Sequence, residues 1–180
     1  RNLIEAPKKN SVEIDLDLNI KKSILDVLRH PTVGSKNFLI TIGDRNVGGL
    51  TYRDQMVGPY QIPVADNGIT MANFDSIEGE AMSLGERAPL AVSNAPASGR
   101  VAITEALTNI LSSGVEELSK VKLSANWMAS PNNDVNNFDL YQTVRSISER
   151  LCNEWNITIP VGKDSLSMET AWENKTNTSP

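Results

Sequence analysis

The sequence alternates stretches of helical periodicity with short, β-branched apolar runs, and this alternation restricts the fold more than any single motif. After Ser98, a residue type suited to a helix N-cap, Ile103, Leu107, Ile110 and Leu111 form an apolar stripe that stops at Gly114. Leu140, Val144, Ile147 and Leu151 form a second stripe, ended by the Trp155-Asn156 region. From Leu18, the positions Ile20, Ile24, Leu25 and Leu28 repeat at helical spacing until His30-Pro31. Phe38-Leu-Ile-Thr-Ile42 reads as a strand that stops at Gly43-Asp44. Further strands are expected over Ile62 to Met71, Leu90 to Val92, Val121 to Met128 and Ile157 to Val161. The order predicts an α/β fold of the α+β type, a mixed sheet with helices on one face and the other face left for a partner. The runs at Phe38–Ile42, Ile62–Met71, Val121–Met128 and Ile157–Val161 are expected in one sheet, with its open face apolar.

A length of 180 residues suits one compact domain, placed at 15–172. Residues 1–14 are polar and charged and read as a linker or the tail of a preceding domain; 173–180 read as a polar tail or loop. The chain opens on Arg1 rather than Met and reads as a fragment. Its formal charge is -5 with no cluster of Lys and Arg, which argues against a nucleic-acid partner. No signal peptide and no apolar run near the length of a membrane span is visible, so neither export nor membrane insertion is expected. One cysteine, Cys152, and one histidine, His30, exclude an internal disulfide and a Cys/His zinc set, in keeping with a cytoplasmic setting.

The same scarcity limits the chemistry. A His-based triad would have to use His30, which stands next to Pro31 and far from any Gly-x-Ser-x-Gly pattern. Cys152 follows Leu151 on a helix, where a small core residue is the ordinary reading. No Walker A loop and no Gly-x-Gly-x-x-Gly follows a strand. Oxygen ligands are what remain. Glu105 and Asn109 are four apart and therefore share one helix face, where a carboxylate and an amide oxygen could hold Mg²⁺. On spacing alone a solvated helix face is the favoured reading. Asp66 ends the Val64-Ala65-Asp66 run and could reach a metal at a sheet edge, although Asp66-Asn67-Gly68 is also ordinary turn chemistry. The Gly43–Gly49 loop could approach a phosphate through its backbone, and Lys36 and Lys163 could each neutralise one.

Taken together, several segments carry a resemblance. They include His30-Pro-Thr-Val-Gly-Ser-Lys36, Ile40-Thr-Ile-Gly-Asp-Arg45, Arg53-Asp-Gln-Met-Val-Gly-Pro59 and Pro63-Val-Ala-Asp66. Gly79-Glu-Ala-Met82, Gly85-Glu-Arg87, Glu105-Ala-Leu-Thr-Asn109, Lys122-Leu-Ser-Ala-Asn-Trp-Met128 and Ile159-Pro-Val-Gly-Lys-Asp-Ser165 continue the series. In this order they resemble the large form of the phosphoribosylformylglycinamidine synthase family, from about residue 13 to residue 172.

The resemblance implies a fold like the N-terminal domain of aminoimidazole ribonucleotide synthase, in the second of two related synthase halves whose domains pair through their sheets. The family reaction is an ATP- and glutamine-dependent amidation. ATP activates the formamide oxygen of formylglycinamide ribonucleotide, as an iminophosphate, and ammonia from glutamine displaces phosphate to give the amidine of de novo purine synthesis. In the second half the resemblance implies an auxiliary ATP or ADP held with Mg²⁺. Asp66, Glu105 and Asn109 fall on metal ligands, Ala65 on a nucleotide contact and Lys36 on a phosphate contact. No catalytic residue is assigned. The expected partners are the first synthase half, the following domain, which supplies two further ligands, and the glutaminase domain, whose Cys-His-Glu set is absent here. The isolated chain is therefore expected to be inactive. The alternative is a non-catalytic nucleotide-binding scaffold within the same enzyme. A stand-alone relative such as aminoimidazole ribonucleotide synthase conflicts with the Lys122–Met128 and Arg53–Pro59 motifs.

Overall fold

The computed structural model describes Pro7 and residues 19–43, 45–46, 48–63, 65–167 and 169–170. The expected N-terminal linker and the tail at 173–180 lie outside the described residues, apart from Pro7. The chain is a mixed α/β protein that divides into two compact units, interleaved along the sequence.

One unit holds helices α1 (Ile20–Arg29) and α2 (Asn37–Ile42), strands β1 (Thr51–Arg53), β2 (Asn67–Met71) and β3 (Gly79–Ser83), and the segment Ala106–Gly114. Helix α1 begins where the Asn19 side chain accepts from the Lys22 backbone N–H at 3.0 Å. It ends because Pro31 forces the preceding His30 into an extended conformation (φ -60°, ψ 135°). The three strands form an antiparallel sheet in the order β1-β2-β3. Asn73 closes the β2–β3 connection by accepting from the backbone N–H groups of Asp75 and Ser76, both at 2.8 Å.

The other unit holds most of α3 (Ala88–Ile110, up to Glu105), β4 (Lys122–Met128), α4 (Asp134–Arg145), α5 (Cys152–Trp155) and β5 (Thr158–Ser165). Helix α3 is kinked at Asn94 (φ -153°, ψ 90°). The Asn94 side chain accepts from the Ala97 N–H at 3.0 Å, so it caps a new helix, and Pro96 sits in that first turn, where its missing N–H costs nothing. The helix therefore starts before the expected N-cap Ser98, whose buried hydroxyl instead donates to the Arg87 carbonyl at 2.7 Å. Downstream, α4 widens into a π turn over Ser146–Leu151 and ends at Asn156, in the left-handed region at φ 51°. Strands β4 and β5 pair in parallel. Ile147, Leu151, Ile157 and Val121 are buried, and Gly99 lets α3 approach α4 so closely that a Cβ there would lie 2.7 Å from Ile147 Cδ1.

The α/β class and the helices around Leu107 and Leu140 agree with the sequence reading; several local expectations do not. Phe38–Ile42 is part of helix α2, and the Thr41 hydroxyl donates back to the Phe38 carbonyl at 3.0 Å. A run of five residues, four of them apolar, is too short to show its own period. Leu90–Val92 lies inside α3 rather than in a strand, and of the Ile62–Met71 run only Asn67–Met71 is strand. The strands expected in one sheet fall into two, one antiparallel and one parallel. The expected apolar open face is not seen on β4, whose exposed positions are Lys122, Ser124, Asn126 and Met128. The exposed apolar side chains are concentrated on α1 and α2 instead, with Ile20, Ile24, Val27, Leu28, Phe38 and Ile42 open to solvent. Among the described residues no helix is long and apolar enough to cross a membrane.

Candidate functional site

The loop leaving β3 follows one face of α3, and two of the candidate ligands are tied to it. In the first unit Asn109 donates its amide Nδ2 to the Leu84 carbonyl at 3.0 Å. That bond fixes the side-chain plane and leaves the carbonyl Oδ1 as the atom offered to a ligand. The start of β2 is held to the same stretch of chain. Asn67 donates from Nδ2 to the Asn109 backbone carbonyl at 2.9 Å and to the Ser112 hydroxyl at 2.7 Å. Asp66 is the residue immediately before Asn67 and is exposed, and Ala65 precedes it, half-buried. The structure thus brings the strand end carrying Asp66 to the helix end carrying Asn109.

Glu105 lies one helical turn before Asn109, at the end of the other unit's share of α3. It is half-buried, and its Oε2 accepts from the Glu86 backbone N–H at 3.3 Å and faces Arg87 Nη2 at 3.9 Å. Lys36 is exposed at the entry to α2, and its ammonium donates to the Gly34 carbonyl at 2.6 Å. Lys163 is exposed on β5, paired in register with Asn126.

Hard oxygen donors fit a hard divalent cation, and Asp66, Glu105 and Asn109 offer two carboxylates and one amide oxygen. They do not form an all-acid cluster. Among the described residues no group of three or more His, Cys, Asp or Glu side chains stands together in a way that could hold a metal ion. An ion on any of these oxygens would need phosphate oxygens, water or further protein ligands to complete its shell. Burial pushes the half-buried Cys152 thiol above its ordinary range. Sequence reasoning passed over Asn67, Glu86 and Arg87 as site residues. The signal was present for the last two in Gly85-Glu-Arg87, a motif of the resemblance to which no role was attached.

A family model described as the FGAR-AT PurM_N-like domain matches residues 35–180. The chain belongs to this family. It is an FGAR amidotransferase domain of the N-terminal type, as the ordered motifs implied. Its mixed α/β architecture is consistent with a PurM N-terminal-like fold. An FGAR-AT PurM_N-like domain belongs to purine biosynthesis and to a multidomain, ligase-type enzyme.

Proposed function

We propose that this domain holds a nucleotide with Mg²⁺ inside a glutamine-dependent amidoligase that converts formylglycinamide ribonucleotide to its amidine, and that it belongs to the second synthase half. The observation that carries the reading is the family match across residues 35–180, which covers every residue assigned to the site. Asp66, Glu105 and Asn109 are the proposed metal ligands, Ala65 the nucleotide contact and Lys36 a phosphate contact. The bonding of Asn109 supports its part, since an amide whose nitrogen is already used presents its oxygen. A bound Mg²⁺ would neutralise the polyphosphate and fix its orientation. Asp66 and Glu105 would supply the charge that makes this ion bind, while Asn67 keeps the β2 end and the α3 end together.

A second reading, a non-catalytic nucleotide scaffold, is favoured by the partial donor set, since no group of three or more His, Cys, Asp or Glu among the described residues could hold a metal ion by itself. Exchange of the bound nucleotide during ammonia-fed turnover of the complete enzyme with ATP separates the two. The 180-residue chain is expected to be inactive in both readings, and in the scaffold reading the nucleotide co-purified with the complete enzyme stays unexchanged through turnover. Glu105→Ala in the complete enzyme is expected to release that nucleotide. A ligand held at about 100 times its Kd contributes about 2.7 kcal/mol, so thermal stability should fall with it. Full nucleotide retention and an unchanged melting temperature in Glu105→Ala would rule out the metal assignment.

A further inference from the structure

Resting on the Mg²⁺ reading of Glu105, we infer that Arg87 is a positioning residue that occupies Glu105 until a divalent cation displaces it. The Gly85-Glu86-Arg87 loop is not free to wander, because the buried Ser98 hydroxyl donates to the Arg87 carbonyl at 2.7 Å. From that anchored backbone two donors converge on one carboxylate oxygen, the Glu86 N–H at 3.3 Å and Arg87 Nη2 at 3.9 Å, both on Oε2 of Glu105. The two contacts differ in kind. The amide is a fixed dipole that orients the carboxylate whatever else binds it. The guanidinium is a full positive charge on a long side chain, 44% exposed and held across a loose distance. A divalent cation on Glu105 would meet that charge as a competitor, both for the oxygen and through space. Arg87 therefore holds the carboxylate in place without the cation and weakens cation binding by the same contact. Released from Glu105, it is free to donate to an anionic oxygen carried in with the cation.

Mg²⁺ titration of the complete, nucleotide-free enzyme tests this, taking as signal the binding component that Glu105→Gln removes. Arg87→Gln is expected to tighten that component about three- to tenfold at low salt, and the gain should shrink near 1 M salt, where the Debye length is only about 3 Å. Arg87→Lys, which keeps the charge but loses the fork, is expected to bind Mg²⁺ like the unmodified enzyme. If Arg87 only braced the fold, Lys and Gln would behave alike, and that result overturns the inference. So does an Arg87→Gln enzyme that binds Mg²⁺ equally or more weakly at every salt concentration. If Glu105→Gln removes no binding component, the metal reading of Glu105 fails and the role of Arg87 falls with it.

Discussion

Helix α1 and the α3–α4 pair are both amphipathic in sequence, yet they use their apolar faces in opposite ways. In α4 and its π turn the apolar positions Ile147 and Leu151 are buried, with Ile147 only 1% exposed and seated against Gly99 of α3. In α1 no residue is buried, and Ile20, Ile24, Val27 and Leu28 line an open apolar depression of about 320 Å³. Periodicity states which face of a helix is apolar. Whether anything covers that face is settled by the rest of the chain, or by another chain.

The largest expected effect breaks the packed side of this comparison. Ile147→Ala should cost about 2–5 kcal/mol, the usual range for emptying a buried aliphatic site. Gly99→Ala should cost about 1–3 kcal/mol, because the added methyl overlaps Ile147 and Thr143. Ile147→Val in the Gly99→Ala background should recover part of that loss, because the two sites share one volume. Chemical denaturation with secondary-structure and fluorescence probes measures all three. Additive losses in the double variant would mean that α3 and α4 do not meet through these residues.

The elements that were legible in the sequence are those long enough to display a period. The stripes of Leu107 and Leu140 span several turns, and the second was read to end near Asn156, where the backbone turns left-handed; the N-caps Asn19 and Asn133 were not read. Short elements were not legible. Phe38–Ile42 has strand composition but a helical hydrogen-bond pattern, and Gly79–Ser83 contains no β-branched residue although it is a strand. The candidate site divides the same way. Helix spacing places Glu105 and Asn109 on one face, but a ligand role for them, as for Asp66, came only with the motifs. Asn67 could not be found from its neighbours, because its partners Asn109 and Ser112 lie 42 and 45 positions away.

A middle-sized effect is expected at that long-range tie. Asn67→Ala removes both bonds made by Nδ2, and at about 0.5–1.5 kcal/mol each the loss should total about 1–3 kcal/mol. It should also lower Mg²⁺ affinity, since Asp66 would no longer be held at the helix end. Unchanged stability and unchanged affinity together would show that Asn67 does not organise the site.

The smallest effect sharpens the comparison from the other side. Ile24→Ala and Leu28→Ala in α1 should each shift the stability of this chain by no more than about 0.5 kcal/mol, as substitutions at open positions do. A clearly larger loss in the 180-residue chain would mean that the α1 face is already covered there. The same substitutions made in the complete enzyme report whether another domain takes up that face.

The two units are threaded through each other in sequence, and this matters while the protein is being made. The Ser83 hydroxyl needs the Ala106 carbonyl, the Leu84 carbonyl needs Asn109, and Asn67 needs Ser112. None of those later residues exists when the ribosome finishes β3. At ordinary elongation rates of about 5–20 residues per second, the β1–β3 sheet waits on the order of a few seconds before its last segment is synthesised. During that interval its open carbonyls and the bare α1 helix are what a chaperone would encounter. No single cut in the chain separates the units, so a stop between Leu84 and Ser112 leaves the nascent sheet without one or more of these partners.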